Sequence, residues 1–158
     1  MNVVELEPLV SAHSFVQGMR PEHINVLLDC AEVVTFQPGQ LVFKEGEPAN
    51  ELYLIEEGRI ALEAHEPADG TVIVQVLGAD EAMGWSWMLP PYVWHLRARV
   101  IEPTTAIALS GAHLLVRAEK DHEFGYELMK RVATIVMHRL QAARRQLLAH
   151  QVEHLAPA

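Results

Sequence analysis

The spacing of apolar positions divides the chain into three parts. In "PEHINVLLDCA", residues 21–31, Ile24, Leu27 and Leu28 recur three and four apart behind Pro21, which predicts a short helix with proline in its first turn. Between Val33 and Ser110 the period falls to two. Leu41 and Phe43, then Ile60, Leu62 and Ala64, then Val72, Val74 and Val76, then Leu96, Ala98 and Val100 each alternate with more polar neighbours, the pattern of strands with one face inward. Six of the nine glycines, at 39, 46, 58, 70, 78 and 84, fall in this region, where turns between strands call for positive φ. "PADG" at 67–70 reads as a hairpin tip. Many short strands joined by such turns predict a β-sandwich or barrel.

Beyond about Glu119 the three-and-four spacing returns. Leu128, Val132, Ile135, Val136, Leu140, Ala143 and Leu147 form one stripe. A helix over 119–150 would extend about 48 Å, longer than a small barrel needs. The stripe therefore predicts a homodimer through this C-terminal helix, the alternative being a helix folded back wholly on its own barrel. The remainder "HLAPA" is expected to fray.

At 158 residues, 50% hydrophobic and 21% charged, the chain fits a single domain, 1–158, with a helical segment at 1–32, a barrel at 33–112 and helices at 113–150. Its formal charge of −9 disfavours direct nucleic acid binding, because unneutralised acids oppose the counterion-release term that drives contact with a phosphate backbone. The single cysteine, Cys30, permits no internal disulfide and suits a reducing compartment. "MNVVELEPLV" carries acids where a secretory signal needs bases, and no apolar run approaches membrane-spanning length, so a cytoplasmic protein without membrane contact is expected.

One stretch stands apart. "MGWSWMLPPYVWHLRARV", residues 83–100, holds all three tryptophans and lies in the acid-free window Ala82–Ile101. Flat apolar area and a less negative local potential admit an anionic or aromatic ligand. Pro90 and Pro91 preset the loop's shape. Nine histidines raise the question of a metal, yet only His150 and His154 pair at helical spacing, and two imidazoles make at best a weak site, so no metal is expected. Cys30 follows "VLLD" and reads as a small buried hydrophobe, and no nucleophile has a base beside it, so no catalytic residue is assigned and the chain is expected not to be an enzyme.

Several of these segments together resemble the cyclic-nucleotide-binding domain of the Crp/Fnr family. "FQPGQLVFKEGEPANELYLIEEGRIAL", residues 36–62, is similar to that family's opening strands, with Gly39, Gly46, Tyr53 and Gly58 in matching places. "VLGADEAMG" and "LRARVIEPTTAIALS" resemble the segments flanking its phosphate-binding cassette, here 80–96, and "LMKRVATIVMHRLQ" the start of its dimerising helix. The resemblance implies a mainly β fold with helices, a cupin-like jelly-roll β-barrel followed by a long C-terminal helix. The cupin enzymes' His-x-His is absent. In that family the cassette supplies backbone N–H groups, a glutamate for the ribose and an arginine for the cyclic phosphate. Here Gly84 is kept, but Trp85 stands at the glutamate position, Trp94 at the arginine and His95 at the small hydroxyl residue that follows.

Those replacements leave two readings open. In one, a stand-alone sensory module binds a small ligand, a cyclic nucleotide or related small anion, by a non-standard pocket made from Gly84, Trp85, Ser86, Trp94, His95, Arg97 and Arg139, and biases the long helix. Arg139 matches an arginine of the family's long helix, while Arg97 and Arg99 alternate with apolar neighbours and would lie on the face opposite them. In the other, Trp85, Trp87 and Trp94 fill the pocket, and the chain is a ligand-free subunit that docks a protein partner. Family members that regulate transcription continue into a helix-turn-helix, and only eight residues follow His150, so control of transcription would need a DNA-binding partner in trans.

Overall fold

A computed structural model of the chain describes residues 3–155 other than residue 69, with side chains from 5 to 151 except at residue 150. The His150 and His154 pair, the last residues of "HLAPA" and the Asp69 tip of the predicted hairpin lie outside what is described.

Helix α1 (Val3–Ala12) leads through a 3-10 turn (Ser14–Val16) to α2 (Pro21–Leu28), where Pro21 occupies the first turn and Val26, Leu27 and Leu28 are buried. Strands β1 (Ala31–Phe36), β2 (Leu41–Phe43), β3 (Glu51–Glu66), β4 (Gly70–Leu77), β5 (Ala82–Met83) and β6 (Arg97–Ser110) follow. They make one antiparallel sheet in the order β1-β6-β3-β4, with β2 added to β6 and β5 to β3. The path is open: β1 and β4 end it and do not pair with each other.

The long β3–β6 ladder organises the domain. Its register slips between Ile55 and Ile60, around Gly58. Gly58 has φ +108°, and a Cβ there would lie 2.2 Å from Thr104 Oγ1 and 2.6 Å from its Cα, so only glycine lets the strands approach and bend at this point. The bend lets one strand pair serve both halves of the curled sheet. Leu52, Leu54, Ile55, Ile60, Leu62, Ala98, Val100 and Ile107 are fully buried. Gly78 adopts no positive φ; Asp80, two residues on, does, at 67°.

Helix α3 (Gly111–Lys120) is capped by Ser110, whose Oγ accepts the His113 N–H at 3.3 Å. Asp121 caps α4 (His122–Leu155) by accepting the N–H groups of Glu123 and Phe124. At 34 residues α4 is about 51 Å long. Its first half packs on the domain through Phe124, Leu128, Val132 and Ile135, all buried.

This divides the stripe read from the sequence. Leu128, Val132 and Ile135 belong to the chain's own core, because α3 and β4 pack against α4, and so they are closed to a second copy. Val136 is half-buried, and Leu140, Ala143 and Leu147 are exposed.

Candidate ligand-binding site

Residues 84–96 contain no regular helix. They form a chain of turns pinned to the preceding loop: Trp94 donates its N–H to the Glu47 carbonyl, Gly46 donates to the Trp94 carbonyl, and Ala49 donates to that of Tyr92. The Pro90–Pro91 peptide is cis, and Tyr92 has φ +59°. The Trp94 N–H is thus already spent on the protein, whereas an anion cradle needs free donors.

The three indoles do different things. Trp87, 3% exposed, donates Nε1–H to the Gly84 carbonyl at 2.7 Å and lies on Gly111, where a Cβ would come within 2.7 Å of the ring. It is a core residue with its polar atom satisfied. Trp94, 4% exposed, stacks on Phe43 with ring centroids 3.8 Å apart and planes 12° apart. Phe43 stacks in turn on Tyr53, whose hydroxyl is pushed above its usual range by burial and then by Glu51, and Tyr53 meets Phe36 edge to face. Trp94 therefore caps a file of aromatic rings running into the curled sheet. Trp85 is half-buried and tilts toward the exposed His95, ring centroids 5.8 Å apart.

Gly84 explains why Trp94 can sit there. It adopts φ +95°, and a Cβ would lie 2.7 Å from the Glu51 carbonyl oxygen and 3.1 Å from the Trp94 ring. The ring occupies the space that the glycine leaves open. What remains beside it is a cleft of about 140 Å³ lined by Gly84, Trp85, Ser86, Trp94, His95 and Arg139. Ligand sites usually enclose roughly 300–1,000 Å³.

Of the residues singled out from the sequence, these six meet at one place, while Arg97 does not. Arg97 and Arg99 project from the other face of β6 onto Glu63, which lies opposite Arg97 in the β3–β6 register. Arg97 Nε and Nη2 donate to Glu63 Oε1 at 3.0 and 2.8 Å, and Arg99 Nε and Nη2 donate to Oε2 at 3.0 and 2.7 Å. Glu63 is 2% exposed, and the bonds from Arg99, then Arg97, hold its carboxyl below the usual carboxylate range. The strand alternation that places Ala98 and Val100 inward turns Arg97 away from the cleft. Glu63 was not singled out from the sequence, although an acid in a strand with two arginines in alternate positions of another is the signal that could have found it.

Arg139 reaches the cleft from α4. Its Nε donates to Gln75 Oε1 at 3.0 Å, and burial pulls its pKa down to about 10. Gln75 and Phe43, the two contacts that place Arg139 and Trp94, were missed for want of any local motif. Cys30 is partly buried; its Sγ donates to the Leu27 carbonyl, and burial pushes the thiol up to about 11, far from a reactive thiolate. Among the described residues no helix is long and apolar enough to cross a membrane.

Comparison with known proteins accords with this architecture. Residues 33–121, more than half of the chain, match the family described as the cyclic nucleotide-binding domain. A CRP-like cAMP-activated global transcriptional regulator of Mycobacterium tuberculosis is 27% identical over 79 residues, 50% of this chain and 35% of the relative. The chain thus spans about a third of that curated relative's length. A solved protein of Geobacter metallireducens GS-15, described as a cyclic nucleotide-binding protein, superposes with TM-score 0.74 at 26% identity, covering 89% of this chain and 98% of its own. A cyclic nucleotide-binding domain from Methylobacillus flagellatus KT gives TM-score 0.77 at 18% identity, covering 94% and 83%, a likeness of fold. The match over residues 33–121, together with a jelly-roll sheet and long C-terminal helix of the same architecture, places this chain in the cyclic nucleotide-binding domain family.

Proposed function

We propose that this chain is a regulatory module whose cassette is sealed by an aromatic side chain and does not take a cyclic nucleotide in the family's manner, and whose output passes through α4 to a second copy of itself. The observation that carries the first half is Trp94: its ring lies flat on Phe43 and against Gly84, at the position where the resemblance puts the phosphate-binding arginine. A cyclic phosphate there would meet an indole instead of a guanidinium, in a remaining space of about 140 Å³. The lost arginine position and the small volume both disfavour it, although Arg139 borders the cleft from α4.

The second half is supported by the solvent face of α4. Tyr126, Met129, Ala133, Val136, Leu140, Ala143 and Leu147 recur at alternating steps of three and four, the heptad spacing of a two-stranded coiled coil. Tyr126 and Leu140 are 66% and 67% exposed in the single chain, and only Val136 of the seven is half-buried. This seam is rotated from the stripe that packs on the domain. A second copy would cover it by a two-fold axis.

Two measurements test the reading. Cyclic AMP and cyclic GMP at millimolar concentration are expected to leave the melting temperature and tryptophan fluorescence of the chain unchanged, since a ligand confined to the native state would raise the first by mass action. A clear rise with either nucleotide overturns the sealed cassette.

A further inference from the structure

We infer that the chain carries an unassigned binding site for a small organic cation, a primary ammonium on an apolar body, where Glu32 and Glu51 come together at the end of the sheet beside α3. The pocket has a volume of about 520 Å³ and lies between the start of β1, the start of β3, the amino end of α3 and the cassette turns at Trp87 and Tyr92. That volume suits a metabolite, which the space beside Trp94 does not. Strand register builds the site. Glu32 pairs with Ala108 and Ala108 with Tyr53, so these three side chains share one face of the sheet; Glu51, two residues before Tyr53, shares it and pairs with Ser110.

Its chemistry is set by which groups are left unanswered. Elsewhere the crowded acids have cations: Glu63 has Arg97 and Arg99, and Glu127 has Arg131. No lysine, arginine or histidine lines this pocket, and neither Glu32 nor Glu51 has a hydrogen bond or ion pair among the described residues. Burial, then the charge of Glu32, pushes the Glu51 carboxyl above the usual carboxylate range. A second observation is independent of the acids. Tyr53 is 7% exposed, and its hydroxyl, on which the Glu51 charge acts, has no partner among the described residues. A buried hydroxyl without a partner is costly, and an ammonium carries three donors, enough for both carboxylates and the Tyr53 oxygen. Trp87 and the 48% exposed Tyr92 add an aromatic wall that attracts a cation, and Leu115 and Ala112 an apolar one for its body. The amino end of α3 does not turn the pocket toward anions, because Gly111 already donates its N–H to the Asn50 carbonyl and His113 to Ser110 Oγ. Among the described residues no three metal-ligating side chains come together, which favours an ammonium over a metal ion.

The site uses neither the cleft beside Trp94 nor α4, so its test stands apart from the sealed cassette and the helix seam. Phenethylammonium, phenethyl alcohol and acetyl-lysine methylamide serve as small-cation, neutral and lysine side-chain probes, followed by amide shifts in a ¹⁵N-labelled chain. Phenethylammonium is expected to bind in preference to both others and to shift the amides of Glu32, Glu51 and Ala108. Glu51→Gln is expected to weaken it by about tenfold, and to melt no lower than wild type in its absence, because it removes one of two carboxylates that repel each other. Glu66→Gln, at the other end of β3, is expected to leave the affinity unchanged. Equal binding of phenethyl alcohol, equal weakening by Glu66→Gln, shifts that miss those three amides, or no binding at all would overturn the assignment. Tighter binding of the lysine derivative would overturn it in favour of a protein partner's side chain. So would a clearly lower melting temperature for Glu51→Gln overturn it, since that would show that the carboxylate already has its partner.

Discussion

Replacing Trp94 with alanine separates an indole that holds the fold from one that merely lines a cleft. The ring is 4% exposed, stacked at 3.8 Å on Phe43 and seated against Gly84. Truncating a buried tryptophan costs about 3–5 kcal/mol in transfer and cavity terms, and a well-stacked ring pair contributes about 0.5–1.5 kcal/mol beyond its area. The open space beside it, about 140 Å³, lets water and neighbouring side chains relax into part of the void, which pulls the expectation to about 4 kcal/mol. In a domain of this size that corresponds to a melting temperature lower by roughly 8–16 °C. Urea denaturation at fixed protein concentration, with m held constant, reads the loss directly. Trp85→Ala is the control: Trp85 is half-buried, at the edge of the core and beside the exposed His95 ring, so its loss should cost about 1 kcal/mol, well below that of Trp94. If Trp94→Ala costs less than about 1 kcal/mol, or Trp85→Ala costs as much as Trp94→Ala, the sealed-cassette reasoning fails.

Two further outcomes are expected. Leu140→Asp should leave the chain folded but monomeric in sedimentation velocity, because it places a charge in the exposed seam, whereas Leu128→Asp should unfold it by burying one in the core; a wild-type chain that is itself monomeric at micromolar concentration refutes the seam. His13 is buried and neutral, its Nδ1 accepting the Phe15 N–H at 3.1 Å and its Nε2 3.2 Å from the Ile55 carbonyl, and burial holds its pKa below 6.5 against the opposing pull of Asp80. A lowered histidine pKa contributes stability that is complete above the unfolded value and lost as pH falls through the folded one, so the melting temperature should drop between about pH 7 and about pH 5. Burial raises the pKa of Glu56, which acts in the opposite sense, so the comparison is with His13→Asn, whose slope should be shallower; equal slopes would exclude His13 as the cause.

Periodicity in the chain determined which segments became strands and helices, since alternation and three-and-four spacing are local and each can bury its apolar set in only one way. The breaks were legible too, because Gly58 and Gly84 sit where backbone approach forbids a Cβ. The family frame was legible for the same reason. What periodicity leaves undetermined is which of two apolar faces on a long helix meets its own domain. Leu128 and Leu140 look alike in a stripe, yet one is buried and the other 67% exposed, and only the position of the sheet beneath α4 decided between them. Pairings across the fold were equally hidden. Glu63 finds Arg97 and Arg99 more than thirty residues away, Trp94 finds Phe43, and Arg139 finds a neutral amide in place of an acid, through strand register and helix placement that no short stretch encodes. Side-chain type is written residue by residue, but whether a ring closes a pocket or a charge goes unanswered depends on distances set by the whole chain at once.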